Sequence, residues 1–310
     1  MMTTSVSGAA AAGDRRRSAM YLSGFEVEFG ARVPVAELAE FVGARDEVEL
    51  LLDEGVRYGL VADRPAEVLA AASAVRTLAG TRPLAAVYCC ETIGARPPAS
   101  AATAFAVAAG IPDVPVFTVG GAGCGNLGPG LRVARGLLAA EGPGSVLLAV
   151  ADRAPGPRYL PGDLTVLSDG AATCLVSTSP ARPGFRLLGS AAVTAADRAG
   201  ARPGLAAAKA AAAGVAAAVG RVLTEADTAV DECALLLVGN YGASVRAMLA
   251  AAAGFPSRTV HAPNVADGHC FAVDLLHGLR SLEPSDMDRI VLVATGPHAW
   301  TALLLEYRAC

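Results

Sequence analysis

Short apolar runs alternate along the chain with longer stretches of helical periodicity, and Gly or other turn residues bound most of these runs. The alternation is typical of an α/β fold, because buried strands are short and continuously apolar whereas helices are longer. The pattern predicts eight clear strands, at 84–88, 114–119, 146–150, 173–177, 234–238, 259–262, 290–294 and 301–306.

The eight strands fall into two sets of four in the same order. Segments 83–94, 114–138, 145–154 and 170–178 parallel segments 232–242, 258–282, 289–299 and 299–307. The spacing is also preserved, because Cys124 precedes Leu147 by 23 residues and His269 precedes Leu292 by 23 residues. A unit repeated at constant spacing predicts a duplicated fold, in which each half is a mixed sheet with helices on both faces.

We place the two halves at 19–180 and 181–310. They follow a head at 1–18 that is rich in Ser, Ala and Gly and is predicted to be disordered. The duplication also predicts that the helices after Cys124 and after His269 pack back to back. Their N-termini then lie close together, which brings these two residues into one candidate site.

Composition narrows the class of function. Hydrophobic residues make up 53% of the chain and charged residues 17%, so some apolar surface is expected to be buried against another subunit. The net charge is −4 and there is no basic stripe, which argues against nucleic-acid binding. We expect no membrane span, because the apolar segment 205–220 is short and Lys209 interrupts it. The seven cysteines fit neither a disulfide framework nor a zinc site, which indicates reduced thiols in a cytoplasm.

Cys124 is the first candidate for chemistry. It ends a strand-to-helix turn at 119–125 that contains four glycines, and a predicted helix follows at about 127–140. The positive end of that helix dipole favours the nucleophilic thiolate form of the cysteine. Amides of the same turn, at Gly123 and Gly125, are candidates to bind a developing oxyanion.

The same turn also fits a different function. Residues 123–128 match the G-x-G-x-x-G pattern of dinucleotide-binding sites, and Asp152 follows the next strand, where a ribose-binding acid is expected. The motif begins more than 100 residues into the chain, however, and Asp152 is 29 residues from the first glycine instead of about 20. These departures make the nucleophile the favoured interpretation.

His269 is the candidate base. By the repeat it lies at the start of the second central helix, and Asp274 follows five residues later. An aspartate holds an imidazole in the right tautomer and stabilises its charged form, provided that His269 lies before the helix or in its first turn. Asn240 ends the strand at 234–238, and we expect its side chain to point into the same pocket.

Other residues are predicted to border this pocket. Gly296 and His298 lie in a loop that is expected to supply a second oxyanion donor, and Cys90 ends a strand near the site. The candidate catalytic residues are therefore Cys124, His269, Asp274 and Asn240, and no metal site is predicted.

These motifs resemble those of the β-ketoacyl-acyl carrier protein synthase III-like enzymes of the thiolase superfamily. The resemblance lies in Gly-Ala-Gly-Cys-Gly at 121–125, Ser-Asp-Gly-Ala-Ala at 168–172, and the Gly-rich loop with a terminal strand at 296–306. It covers about residues 20–308 and implies a thiolase-like, duplicated α-β-α-β-α architecture of five layers. It also implies a homodimer and a thioester co-substrate, either coenzyme A or the phosphopantetheine of an acyl carrier protein, with no further cofactor.

The departures from the family pattern indicate a particular branch. Typical condensing members have a His where Asn240 falls and an Asn where His269 falls. The stretch at 268–274 is instead similar to that of acyltransferases in natural-product pathways, which use Cys–His–Asp or Ser–His–Asp groups. The resemblance therefore implies acyl transfer to a hydroxyl or amine of a small-molecule acceptor. Two alternatives stay open: a decarboxylating carbon–carbon condensing enzyme, and a non-catalytic ketosynthase-like partner subunit.

Overall fold

The structure is a computed structural model that describes residues 19–91, 98–180, 182–198 and 204–309. The predicted disordered head at 1–18 lies outside the described residues. The strands are β1 Met20–Phe29, β2 Ala31–Pro34, β3 Tyr58–Val61, β4 Ala85–Cys89, β5 Val116–Val119, β6 Ser145–Asp152, β7 Tyr159–Leu160, β8 Thr165–Val166, β9 Gly170–Ser177, β10 Gly184–Thr194, β11 Leu235–Leu237, β12 Val260–His261, β13 Arg289–Thr295 and β14 Ala299–Arg308. The α-helices are α1 Arg45–Asp53, α2 Ala66–Leu78, α3 Pro98–Ala108, α4 Leu127–Glu141, α5 Leu205–Glu225, α6 Ala243–Ala253 and α7 Val273–Ser281.

Two sets of five strands repeat one topology. Their hydrogen-bonded orders are β5-β4-β6-β9-β1 and β12-β11-β13-β14-β10. In each set the first three strands are parallel and the last two join antiparallel. The sets meet where β1 pairs with β10, over four residue pairs from Met20–Leu187 to Ser23–Gly184.

All eight predicted strands form. The prediction missed two strands of the ten-stranded sheet, β1 and β10, which begin the two halves, and it also missed the short pairs β2–β3 and β7–β8. Strands β1 and β10 both carry a two-residue alternation that could have identified them. In β1, Phe25 and Val27 pack against the central core while Glu26 and Glu28 pair with arginines. In β10 the burial alternates along most of the strand. Alternating strands of this kind have one buried face, whereas the prediction relied on continuous apolar runs.

Three apolar clusters show how the layers stack. The central cluster contains one face of α4 and one face of α7, represented by Leu131 and Leu276, between the two sets of strands. A second cluster packs α2 and α3 on the outer face of the first set, and a third packs α5 and α6 on the outer face of the second set. The order is therefore α-β-α-β-α, which confirms the predicted five-layer architecture.

Helix α5 is longer than the sequence analysis allowed. It spans 21 residues, and by length and composition alone it is apolar enough to cross a membrane. Its buried residues Val215, Ala218 and Val222 belong to the outer cluster of the second half, against β10 and β14. A core helix passes the same length test, so this one helix is weak evidence for a membrane span.

Asp169 anchors the start of β9 from a fully buried position. Its carboxylate accepts hydrogen bonds from the amides of Ala62 and Ala154 and two from the guanidinium of Arg158, at 2.8–2.9 Å. Burial by itself would raise the pKa of Asp169, but Arg158 and the two amides outweigh it and hold the pKa below its usual value. The Ser-Asp-Gly-Ala element identified in the sequence is thus a structural anchor at the junction between β8 and β9.

We expect Asp169→Asn to lower the free energy of unfolding by about 3 to 5 kcal/mol, because it breaks the ion pair between the fully buried Asp169 carboxylate and the half-buried Arg158 side chain. The measurement is urea unfolding of the variant and the wild type at neutral pH. Asp231→Asn, at an exposed position, is the matched control and is expected to change the free energy by less than about 0.5 kcal/mol. An Asp169→Asn midpoint equal to that of the control contradicts the role of this network.

Candidate active site

Cys124 lies in a single 3-10 turn, Gly123–Gly125, directly before α4. The turn requires a glycine at 123, because φ there is +58° and a Cβ would lie 2.7 Å from Cδ of Pro297. Cys124 is partly exposed, whereas Cys89, Cys174 and Cys270 are buried. The thiol therefore lies at the positive end of the α4 dipole and is open to a reactant, as the sequence predicts.

His269 belongs to the second half but is held by the first. Its backbone N–H donates to the carbonyl of Val166, and its carbonyl accepts from the N–H of Ser168, both at 2.8 Å. Gly268 permits this close approach, with φ +71° and a Cβ position only 2.6 Å from the Val166 carbonyl oxygen. The imidazole is 1% exposed. The segment Val166–Ser168 of the first half thus fixes the base of the second.

The structure brings His269 and Asp274 together. The Nδ1 of His269 is 2.6 Å from Oδ2 of Asp274, whose other oxygen accepts from the N–H of Cys270 at 3.1 Å. The five-residue spacing works because His269 precedes α7, whereas Asp274 lies in its first turn. The second ring nitrogen, Nε2, is buried and makes no hydrogen bond to the part of the chain that the structure describes.

Asn240 has a different role from the one expected. Its backbone N–H and its Nδ2 donate to the two carboxylate oxygens of Asp274, at 2.8 and 2.9 Å. Its Oδ1 accepts from the N–H of Asn264 at 3.0 Å. The side-chain amide is therefore engaged with the protein, which corrects the expectation that it points into the pocket. Asn240 positions Asp274, and Asp274 positions His269.

The electrostatics couple His269 to Cys124. Burial by itself would lower the pKa of His269, but the negative charges of Cys124 and Asp274 and the hydrogen bond to Asp274 outweigh it. The pKa of His269 is consequently raised well above its usual value. His269 therefore favours its protonated form, next to Asp274 and the sulfur of Cys124.

Three further residues border this pair and were missed by the sequence analysis. The ring of Tyr241 lies 4.6 Å from that of His269, between centroids, and its hydroxyl is 2.5 Å from Oγ1 of Thr295. Burial and the charges of Cys124 and Asp163 raise the pKa of Tyr241 well above its usual value. Tyr241 follows Asn240 directly, so the repeat could have identified it. Asp163 and Thr295 lie in irregular or terminal positions that carry no motif.

Glu91 holds the nucleophile turn from the opposite side. Its Oε2 accepts hydrogen bonds from the backbone N–H of Gly121 at 2.9 Å, from that of Gly123 at 3.1 Å, and from Nδ2 of Asn126 at 3.2 Å. The amide of Ala122 donates in turn to Oδ1 of Asn126 at 3.1 Å. The turn that carries Cys124 is therefore fixed by one carboxylate and one amide side chain, neither of which the sequence analysis singled out.

These contacts correct the predicted oxyanion donors. The amide of Gly123 donates to Glu91, that of Gly125 to the Ala122 carbonyl at 3.0 Å, and that of Gly296 to the Ala299 carbonyl at 2.7 Å. Pro297, which packs against Gly123, has no N–H to donate. Among the described residues, the Cys124 amide has no protein acceptor, so it is the donor that the nucleophile turn leaves for an oxyanion.

His298 and Cys90 differ in their placement. The Nε2 of His298 is 3.1 Å from the Gly121 carbonyl oxygen, so this side chain does border the nucleophile turn. Cys90 is buried in the outer cluster of the first half, and its thiol is 3.4 Å from Oδ1 of Asp152. This corrects the expectation that Cys90 flanks the substrate.

Asp152 is itself 1% exposed and accepts a hydrogen bond from the amide of Glu91, so it is no ribose ligand.

A shallow cavity of about 220 Å³ adjoins the turn on the side of the second half. Its lining includes Gly121, Arg132, Thr194 and His298. Cys124 is not part of this lining, so the cavity borders the nucleophile turn without containing the sulfur.

Comparison with known proteins agrees with this architecture. No protein-family model and no curated protein sequence matches the chain. Among solved structures, ChlB3, described as an acyltransferase, matches at a TM-score of 0.77 with 19% identity, over 93% of this chain and 98% of that one. The chain has a thiolase-like fold. The predicted resemblance is confirmed at this level.

Two other solved structures match equally well. The 3-oxoacyl-(acyl carrier protein) synthase III FabH from Pseudomonas aeruginosa has a TM-score of 0.76 and 20% identity, over 93% of this chain and 98% of that one. OleA from Xanthomonas campestris has a TM-score of 0.77 and 15% identity, with the same coverage. Identities this low establish the fold but not the reaction. The reaction has to be inferred from the arrangement of the side chains.

We expect the pKa of His269 to fall in Cys124→Ala and also in Asp274→Asn, because each variant removes a negative charge that favours the imidazolium. The measurement is an NMR titration of labelled histidine, with the resonance assigned by its loss in His269→Gln. The other three histidines serve as internal references. A pKa that does not move in Cys124→Ala contradicts the electrostatic coupling of His269 to Cys124.

We expect Glu91→Ala to speed hydrogen exchange at the amides of Gly121 and Gly123 by several-fold, because both lose their acceptor. Exchange is followed by mass spectrometry on peptides that cover 117–127. Glu91→Gln keeps one acceptor oxygen and is expected to give an intermediate rate. Equal exchange in all three proteins shows that Glu91 does not hold the turn.

Proposed function

We propose that this protein is an acyltransferase that takes an acyl group from a coenzyme A or acyl carrier protein thioester, carries it on Cys124, and passes it to a hydroxyl or amine of a small-molecule acceptor. The observation that carries the proposal is the 2.6 Å contact between Nδ1 of His269 and Asp274, with Asn240 holding the carboxylate. It leaves Nε2 as the one free ring nitrogen, next to Cys124.

In the first step the Cys124 thiolate attacks the thioester carbonyl carbon. The amide of Cys124 stabilises the oxyanion of the tetrahedral intermediate. The carbon–sulfur bond of the donor then breaks, and the departing carrier thiolate takes the proton from Nε2 of His269. Acylation removes the thiolate charge, which is a cause of the raised pKa of His269. The proton transfer to the carrier thiolate leaves the imidazole neutral for the second step.

In the second step the acceptor attacks the acyl-cysteine. Nε2 of His269 takes the proton from the attacking hydroxyl or amine, while Asp274 stabilises the imidazolium that forms. Collapse of the intermediate releases the ester or amide and restores the Cys124 thiolate. The same histidine thus gives a proton in one step and receives one in the next.

The arrangement favours acyl transfer over carbon–carbon condensation. Condensation requires donors that stabilise an enolate on the bound thioester. The amide of Asn240 is directed to Asp274 and Asn264 instead, and the position at 269 holds a base that is oriented by a carboxylate. Deprotonation of an oxygen or nitrogen nucleophile is the chemistry that such a base performs.

The proposal also includes a homodimeric assembly and a cytoplasmic location. Strand β5 is an edge of the ten-strand order and exposes Phe117 on its surface, which supports a homodimer that covers this edge. A cytoplasmic location and a role in natural-product biosynthesis follow from the resemblance described above.

Incubation with a panel of short acyl thioesters is expected to add one acyl mass to the wild type and none to Cys124→Ala. In His269→Gln, release of the acyl group to an acceptor is expected to slow by about 100-fold, because the base is lost. His261→Gln, at a histidine that contacts Ser281, is the matched control. Intact-protein mass spectrometry follows both steps.

Two outcomes contradict the proposal. One is an adduct that persists in Cys124→Ala. The other is release of carbon dioxide from a malonyl donor, coupled to a carbon–carbon product, which assigns the protein to the condensing enzymes instead.

A further inference from the structure

Tyr241 places a buried hydroxyl beside the catalytic pair, and the two proposed steps do not use it. The residue follows Asn240 directly and is 4% exposed. Its ring packs in the outer apolar cluster of the second half, and its hydroxyl is 2.5 Å from Oγ1 of Thr295. Packing alone would be served by a phenylalanine, so the buried pair of hydroxyls calls for a chemical explanation.

The ring of Tyr241 lies directly against the imidazole of the base. The ring centroids of Tyr241 and His269 are 4.6 Å apart, with 37° between the two planes. A Cβ on Gly239 would lie 3.1 Å from Cζ of Tyr241 and 3.2 Å from Cε1 of His269. Because Cζ carries the hydroxyl and Cε1 is bonded to Nε2, the hydroxyl-bearing end of the tyrosine is close to the reactive edge of the imidazole.

Thr295 connects this hydroxyl to the nucleophile turn. It is the last residue of β13, and the residue after it, Gly296, packs on the turn. A Cβ on Gly296 would overlap the carbonyl oxygen of Ala122, and the Cα of Gly296 lies 3.9 Å from the position that a Cβ on Gly123 would take. The pair of hydroxyls therefore lies between the imidazole and the turn that carries Cys124.

The phenol of Tyr241 keeps its proton in this place. Burial is the largest cause that raises its pKa, and the negative charge of Cys124 adds to it, whereas the hydrogen bond to Thr295 opposes both without outweighing them. A neutral phenol accepts one hydrogen bond while it donates another. Donation from Thr295 to the phenol oxygen thus leaves the phenol proton for a substrate atom.

The nucleophile turn needs such a donor, because it offers a single backbone N–H. Among the described residues around the turn, the amide of Cys124 is open, whereas those of Gly123, Gly125 and Gly296 donate to protein oxygens. Pro297 has no N–H to add. Oxyanion sites for acyl transfer combine backbone amides with side-chain donors, and tyrosine is one of these donors.

We propose that Tyr241 is a further catalytic residue, whose hydroxyl donates, together with the Cys124 amide, to the oxyanion that forms at the acyl carbonyl. Thr295 is then a positioning residue, because it acts through the tyrosine. The inference rests on the proposed acyl transfer and applies to both of its steps, since each tetrahedral intermediate carries this oxygen. The tyrosine donates a hydrogen bond and transfers no proton, so the proton route through His269 is unchanged.

The test compares two reactions of Cys124 that differ in their need for an oxyanion site. p-Nitrophenyl acetate is attacked at a carbonyl carbon and forms an oxyanion, whereas methyl methanethiosulfonate is attacked at sulfur and forms none. In Tyr241→Phe, which keeps the ring against His269, acetylation is expected to slow by about 100-fold. Methylthiolation is expected to stay within about twofold of the wild type, because it depends on the thiolate alone. Each rate is read by peptide mapping of the mass added at Cys124.

Two further variants separate the hydroxyl from a general loss of structure. Thr295→Val removes the partner hydroxyl and keeps the branched shape, so acetylation is expected to slow by about 5-fold, the net effect of one hydrogen bond, with methylthiolation unchanged. Tyr307→Phe is the matched control, because Tyr307 lies at the far end of β14 and packs edge-on against Phe185. Both of its rates are expected to equal those of the wild type.

An acetylation rate that does not change in Tyr241→Phe overturns the inference. An equal fall in both rates also overturns it, because the thiol itself has then been disturbed. The same proteins are treated with short acyl thioesters. If these leave no adduct on the wild type while the ester still depends on Tyr241, the proposed function fails and the role of the hydroxyl holds. A Cys124 that reacts with neither the ester nor the thioesters contradicts both.

Discussion

The site depends on one constraint: the base of the second half is held by the backbone of the first. His269 exchanges hydrogen bonds with Val166 and Ser168, and its side chain then meets Asp274 at the start of α7. Because the residue is fixed at both its main chain and its ring, it has little freedom to rotate. The base is therefore preorganised, and its side chain needs little movement when the substrate reacts. The duplication of the fold is what allows it, since it places the N-termini of α4 and α7 in the same layer.

The features of the fold and the site that depend on periodicity and local chemistry can be predicted from the sequence. Continuous apolar runs identify the eight buried strands, and the constant spacing of Cys124 and His269 from the following strands identifies the repeat. The pairing of His269 with Asp274 follows once the histidine is placed before the helix. The amphipathic strands β1 and β10 are harder to identify, because each has only one buried face and its signal is an alternation instead of a run.

The sequence does not determine which polar groups are already engaged. The amides of Gly123, Gly125 and Gly296 are all in the right segments for an oxyanion site, but each donates to a protein oxygen. Asn240 is likewise in the right turn, and its amide is directed to Asp274. Glu91 has no motif, because its importance arises from contacts with a segment distant in the chain. Hydrogen-bond partners of this kind depend on the tertiary arrangement and are invisible to local patterns.

Charge compensation connects the parts of the site over a reaction cycle. The negative charges of Cys124 and Asp274 both act on the imidazole of His269 and raise its pKa. Asp274 is satisfied at every stage, because Asn240 and the Cys270 amide donate to it whatever the state of the imidazole. In the proposed reaction, acylation of Cys124 removes one of these two charges, whereas Asp274 keeps its donors. The carboxylate of Asp274 therefore orients the base in both steps, while the pKa of His269 responds to whether the cysteine is loaded.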